Sequence, residues 1–361
     1  MNYRQAEILS AQSLGVVGTK PIKIDIQKPI SRITMKYQTT KGLSYMTAPG
    51  PANVPKIELV SGSKVLHGLT GYENQALAYY NRPNISMEHG QHINVSDEVD
   101  LYVIDFGRYL WDELLAFDPL RFDNPELKIS FNRVLADTSA SADEVEIWAD
   151  IFDEKVISPM GFLLATEHYD YTAPIGGGFQ AVSLPEDRPI RQILVRAHQD
   201  GKVPDYILDQ IRLDEGTLDR IAFDYTNMED YCQRMKSVWP QIRTPLVVHP
   251  KPNDARVFYI PQSDYDASIH YLSIGAFNEL YETTTSLQGG KIILESSLDA
   301  VVHGEARGYI PWSTFQFPLG KQDVIEDWYD PTGRKPRLRL HIANLAAIGD
   351  VQVVLEELYK Y

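Results

Sequence analysis

HGQH, residues 89 to 92, sets His89 and His92 three residues apart, a spacing at which two imidazoles can share a metal ion. No third ligand accompanies them, and in a loop ahead of the strand at Val99 they read as surface histidines. DEVD (Asp97 to Asp100) and DYD (Asp264 to Asp266) gather carboxylates suited to a structural calcium, whose oxygen ligands often come from loops. Neither follows the EF-hand spacing, and solvated turns explain both. Glu144 and Glu146 share one strand face, as half of a glycosidase pair would, but no opposing carboxylate can be named. Alternation with Val145 and Ile147 makes them a solvated strand face. GVVGTK (15 to 20) lacks the Gly-Lys-Ser/Thr ending and following helix of a phosphate loop, and GGG (176 to 178) precedes no helix. Cys232 lies mid-pattern in EDYCQRMKSV, where the apolar face of a short helix would bury it. There is no GxSxG stretch and no histidine assignable to a serine. The residues therefore name no active site, and the chain is expected not to be an enzyme.

The scaffold for these residues is large. With 361 residues, 43% hydrophobic and 23% charged, the chain can bury two ordinary cores. A formal net charge of -15, with Lys and Arg scattered, opposes direct contact with nucleic acid. No apolar run reaches the roughly 18 residues of a membrane span, and MNYRQAEILSAQSLGVVG lacks the basic start and apolar stretch of a signal peptide. Synthesis without export is expected, which leaves the sequons at Asn84 and Asn94 accidental. The lone Cys232 excludes an intrachain disulfide.

Strand periodicity dominates. Ile22, Ile24 and Ile26 alternate with polar residues, as do Ile33, Met35 and Tyr37. The pattern returns at Val99 to Val103, Leu127 to Phe131, Val145 to Ile147, Ile221 to Tyr225, Ile292 to Leu294, Leu338 to Ile342 and Val351 to Leu355. Pro- and Gly-rich turns separate these stretches. Helical spacing is confined to GYENQALAYY (71 to 80), RYLWDELLAF (108 to 117), PDYILDQIRL (204 to 213) and EDYCQRMKSV (229 to 238). The reading is all-β with short inserted helices.

The chain also repeats itself. KPISRITMKYQ (28 to 38) returns as RPIRQILVRAHQ (188 to 199), pairing Ile30 with Ile190 and Ile33 with Ile193. FDNPELKISF (122 to 131) matches YDPTGRKPRLRLHI (329 to 342), and DEVEIWADIF (143 to 152) matches GDVQVVLEEL (349 to 358). GRYLW (107 to 111) is similar to RGYIPW (307 to 312). Matched positions lie further apart at the end of the repeat than at its start, so the second copy carries insertions, expected as loops. The expected division is an N-terminal arm (1–20), a first unit (21–172), a Gly-rich linker (173–180) and a second unit (181–361). Each unit suits an eight-stranded jelly roll, although periodicity alone does not separate this from other sandwiches.

Two tandem β units, each with a Pro-Ile strand, and the closing WYDPTGRKPRLRLHIANLAAIGDVQVVLEELYKY resemble the double jelly-roll major capsid proteins of tailless icosahedral viruses, especially phages with an internal membrane. The resemblance implies a structural subunit of a virion shell, made in the host cytoplasm and assembling as a homotrimer into a pseudo-hexameric capsomer. It further implies neighbouring capsomers, penton and minor capsid proteins and the internal viral membrane as partners, with no direct nucleic-acid contact. Tyr169, Tyr171, Trp239, Trp312, Phe315, Trp328 and Tyr329 lie beside Pro or Gly or in loops, where rings either anchor a partner or plug their own sandwich. The alternative function is a two-domain β-sandwich that binds or degrades carbohydrate, using the same aromatic loops.

Overall fold

The computed structural model describes residues 1–42, 46–82, 97–216, 220–248, 256–264, 266–271, 289–294, 302–343 and 349–361. Its first unit contains β1 (Tyr3–Ser13), β2 (Val17–Lys23), β3 (Ile30–Thr40), β4 (Lys56–Ser61), β5 (Lys64–Leu69), helix α1 (Gly71–Asn81), β6 (Asp97–Asp105), β7 (Pro125–Asn132) and β8 (Ala142–Phe152). Two antiparallel sheets face each other, in the orders β1-β8-β3-β6 and β2-β7-β4-β5. Ile33, Met35 and Tyr37 of β3 turn inward toward Leu59, Leu127 and Ile129 of the opposite sheet, as the period of two requires.

The second unit repeats this order. It contains β9 (Gly161–Ala173), β10 (Gly178–Ser183), β11 (Ile190–His198), β12 (Leu208–Glu215), β13 (Arg220–Tyr225) and helix α2 (Met228–Val238). Five inserted strands follow: β14 (Ile242–Val248), β15 (Arg256–Tyr259), β16 (Asp266–Tyr271), β17 (Lys291–Leu294) and β18 (Val302–Gly308). The unit closes with β19 (Thr314–Pro318), β20 (Pro336–Ile342) and β21 (Gly349–Lys360). Its sheets run β9-β21-β11-β19 and β10-β20-β12-β13. Strand for strand, this is the pairing of the first unit, and eight strands in this order make a jelly roll.

Bonds outside the ladders repeat too. Ile30 and Phe117 exchange backbone hydrogen bonds of 2.7 and 2.9 Å, while Ile190 and Tyr329 exchange bonds of 2.8 and 3.1 Å. The Phe152 N–H donates to Pro29 and the Leu358 N–H to Pro189. Asn124 (φ 55°) and Lys335 (φ 50°) both adopt the left-handed conformation just before the proline that opens β7 or β20. A side chain gains nothing from that backbone geometry, so its recurrence marks a turn that the architecture demands.

Several expectations need correction. Residues 3–13 and 17–20, expected within an arm, form β1 and the first part of β2. The division falls between Phe152 and Gly161, not at 173–180, because β9 holds in the second unit the place that β1 holds in the first. Gly176 to Gly178, with φ of 92°, 69° and 140°, do make a turn, but it joins β9 to β10 inside one unit. Phe117-Asp118-Pro119 is the true counterpart of Tyr329-Asp330-Pro331, as the shared bonds to Ile30 and Ile190 require. GRYLW follows β6 whereas RGYIPW precedes β19, so those two stretches do not correspond. The described residues of the insertion, expected as loops, include the five strands β14 to β18. RYLWDELLAF is a turn-rich segment in which Trp111 (φ 69°) forbids a helix, and PDYILDQIRL gives a single 3-10 turn and then β12, because pairing with β13 and β20 outweighs helical spacing.

Glu357 on β21 carries a pH signature. Burial pushes its carboxyl up to about 7, opposed by Arg188 3.6 Å away. A carboxyl whose folded pKa exceeds its unfolded value lowers stability as pH rises between the two, here from about 4.5 to about 7. Glu357→Gln is therefore expected to stabilise the chain by about 2 kcal/mol at pH 8 and by almost nothing at pH 4.5, measured by urea titration at both values.

Candidate assembly interface

The two units exchange parts of their cores. Leu77, Tyr79 and Tyr80 of α1, an element of the first unit, pack into the apolar cluster of the second. Phe162 and Leu164 of β9 pack in return into the first. Helix α1 is buried on nearly every side, and its polar residues survive there because each is bonded. Thr70 and Glu73 form a reciprocal capping box, Asn74 accepts from the Val103 N–H at 2.9 Å, and Gln75 accepts from the Trp312 indole N–H at 2.8 Å. Helix α2 is the equivalent element but buries only Met228, Tyr231, Cys232 and Met235, one face at helical spacing.

At the carboxyl end of α1 a charged network pins the units together. Asn81 accepts from Arg191 at 2.7 Å and from Gln192 at 2.9 Å, and donates to Glu356 at 2.9 Å. Glu356 also accepts from Arg191 and Gln192, each at 2.6 Å. On the other side Arg82 pairs with Asp105 at 2.9 Å within the first unit. Cationic groups beside the last turn also suit the negative end of the helix dipole.

The aromatic residues singled out in the sequence face inward. Trp312 (5% exposed) and Trp328 (4%) are buried, and Phe315 is fully so. Trp312 sits edge-on to Tyr72 of α1, Trp239 packs against Tyr79 and Tyr80, and Trp328 clusters with Leu115 of the first unit. These three indoles do anchor a partner, but it is the other half of their own chain. Phe315, Tyr169, Tyr171 and Tyr329 pack on the second core. Within the chain, the buried Trp312 and Trp328 indoles leave little surface for an intersubunit anchor or a sugar platform. The residues that sequence reasoning missed are Asn81, Arg191, Gln192 and Glu356. Their signal was charge inside the otherwise apolar IRQILVRAH and VQVVLEEL stretches.

The chemistry-bearing groups are mostly spoken for. Asp97 accepts from Gln38 and Thr40, Glu98 pairs with Lys41 at 3.4 Å, and Asp100 accepts from Gln75. Asp264 accepts from the Tyr309 and Ile310 N–H groups, both at 2.8 Å. Glu146 lies 3.8 Å from Lys36. Burial raises the Cys232 thiol, the opposite of what a nucleophile needs. HGQH, Asn84 and Asn94 lie outside the described residues, as does the side chain of Asp266. Among the described residues no three metal-ligating side chains converge.

The sheet edges differ between units. In the first unit, edge strand β5 meets β9 through a single parallel bridge, Gly68 to Thr166, supported by Lys56 and Glu167 3.5 Å apart. In the second unit the equivalent edge, β13, has β12 as its only strand neighbour among the described residues. Likewise β1, the counterpart of β9, pairs only with β8 among the described residues. Matching the ladders residue by residue makes Asp224 the counterpart of Gly68 and Ala6 the counterpart of Thr166.

No protein-family model and no curated protein matches the sequence. Solved structures do match over the full length. A chain of the atomic structure of Sulfolobus Turreted Icosahedral Virus aligns with a TM-score of 0.63 at 10% identity, covering 100% of this chain and 91% of that one. The major capsid protein of bacteriophage PM2 aligns at 0.56 and 9% identity, covering 99% and 98%. The PBCV-1 protein fitted into a cryo-EM reconstruction of the virophage Sputnik aligns at 0.57 and 9%, covering 99% and 94%. With jelly-roll strand order in both units and matches that span whole chains, this protein has the double jelly-roll fold.

Proposed function

We propose that the chain is the major capsid protein of an icosahedral virion, a structural subunit whose three copies close into a pseudo-hexameric capsomer. One observation carries the reading: among the described residues, the contact joining the two units inside the chain has both of its halves left open at the chain's outer edges. β13 offers the edge that β5 offers within the chain, and β1 offers the strand that β9 offers. Repeating one contact head to tail closes a ring, and alternating units make three chains into six near-equivalent corners. Unpaired edges otherwise invite uncontrolled pairing, so committing them to a symmetric partner also protects the fold. The matched fold of the PM2 capsid protein supports this reading, and the buried indoles argue against a sugar-binding one. Capsomer neighbours, penton and minor capsid proteins and an internal membrane are the partners such a subunit would meet, and the acidic surface gives it no grip on nucleic acid.

The test is a crosslink. In the double variant Ala6→Cys/Asp224→Cys, oxidation is expected to join chains into covalent trimers on a non-reducing gel, at three times the 41.0 kDa chain mass. Cys232 is buried and will not compete. Protein that stays monomeric by mass photometry at high concentration, with no crosslinked species, would sink the proposal.

A further inference from the structure

Where β11 ends, the seam between the units opens into a cavity of about 140 Å³. That is far above the ~10–15 Å³ that admits one water molecule. The first unit contributes Thr47, Pro49 and Tyr72 to its wall, and the second contributes Arg196, Lys291 and the hydroxyl-bearing Ser263 and Ser313. Tyr259, which donates to the Thr47 carbonyl at 2.7 Å, closes one side.

Arg196 is the anomaly in this wall. It is 8% exposed, and among the described residues no carboxylate comes within ion-pair distance of it. Its guanidinium lies over the Tyr72 ring at 4.7 Å and donates once, to Gln352 at 3.0 Å, while its Nε is buried without a partner. A buried cation with unused donors is costly unless something accepts from it. Asp200 also lines the cavity, but its side chain is 86% exposed, is bonded to His198 at 3.3 Å and forms no ion pair with Arg196. His198 in turn meets the Ser313 hydroxyl at 3.1 Å, and that hydroxyl bonds Ser263 at 3.0 Å. Burial holds the His198 imidazole below its ordinary pKa, so it is neutral near pH 7 and adds no positive charge of its own. Arg196 and Lys291 place two positive charges in the wall against the single carboxylate of Asp200, and Ser263, which accepts from Ser313, keeps its own hydroxyl proton to donate.

We propose that this cavity binds a small tetrahedral oxyanion, of the inorganic phosphate or sulfate class, between the two jelly rolls. The guanidinium fork matches such an oxygen array, and a volume of about 140 Å³ suits a small anion. The bound anion gives Arg196 a counter-charge and ties the Tyr72 side of the seam to β11, so it fastens the units to each other.

Full-length protein titrated with inorganic phosphate at constant ionic strength is the direct measurement, by calorimetry and by thermal shift, with chloride and acetate as control arms. One saturable site per chain is expected, with a melting temperature that rises with phosphate or sulfate and not with chloride or acetate. Arg196→Met is expected to abolish the shift. Lys291→Gln, at a half-buried position less apt to disturb folding, is expected to weaken binding by about tenfold. An unchanged affinity in Lys291→Gln, an equal shift in Arg196→Met, an equal response to acetate, or no saturable binding by the wild type would each overturn the assignment.

Discussion

Replacing Glu356 with Ala is expected to destabilise the chain by about 3–5 kcal/mol, the cost typical of stranding one partner of a buried ion pair. Glu356 and Arg191 are both buried, and the carboxylate accepts from Arg191, Gln192 and Asn81 at once. Without it, Arg191 keeps only neutral acceptors, the Asn81 amide oxygen and the Gln322 carbonyl, around a full positive charge. Desolvation of that charge, not the loss of one attraction, sets the size of the effect. Two further measurements separate this from mere loss of volume. Glu356→Gln keeps the shape and should still cost about 2 kcal/mol or more, since a neutral amide leaves the guanidinium unbalanced. The double variant Arg191→Met/Glu356→Leu should recover much of the loss, because an apolar pair of similar volume has no charge to bury. Chemical denaturation of the wild type and the three variants provides the comparison. A double variant as unstable as Glu356→Ala would show that the network's geometry matters more than its charge.

The duplication was legible in the sequence because the third and eighth strands of each unit keep matching apolar positions. Ile30 and Ile190 hold equivalent positions in β3 and β11, and the Val145 and Val351 stretches both lie between the first and third strands of their units. The first strand of each unit was hidden for a physical reason. β1 is paired on one side only and buries little, so YRQAEILSAQS shows no clean apolar face and reads as an arm. β9 has such a face, but it sits between the units, so its sequence gave no sign of which unit it joins. The indole-bearing loops were recognisable as anchors, yet composition cannot say whether an anchor's partner is another chain or the same one. The polar pin at α1 was harder still. Asn81, Arg191 and Glu356 are far apart in sequence, and only the closing of both units brings them together.

Which partner Trp312 anchors can be decided in solution. Trp312→Ala is expected to cost about 3–5 kcal/mol of chain stability, the range for removing a large buried aromatic. The indole N–H is the donor to Gln75 at 2.8 Å, so truncation also strands the amide oxygen inside α1. Trp312→Phe separates the two contributions: it keeps most of the ring contact with Tyr72 and loses only the hydrogen bond, for an expected cost of about 1–3 kcal/mol. The direction of the effect is diagnostic. If the indole holds the two units of one chain together, the loss appears in denaturation at protein concentrations low enough to keep the chain monomeric, and is independent of concentration there. An intersubunit anchor would behave in the opposite way: the monomer would unfold as before, and only the oligomer would weaken. Because Trp312 is buried against a helix of the first unit within a single chain, the concentration-independent result is the expected one.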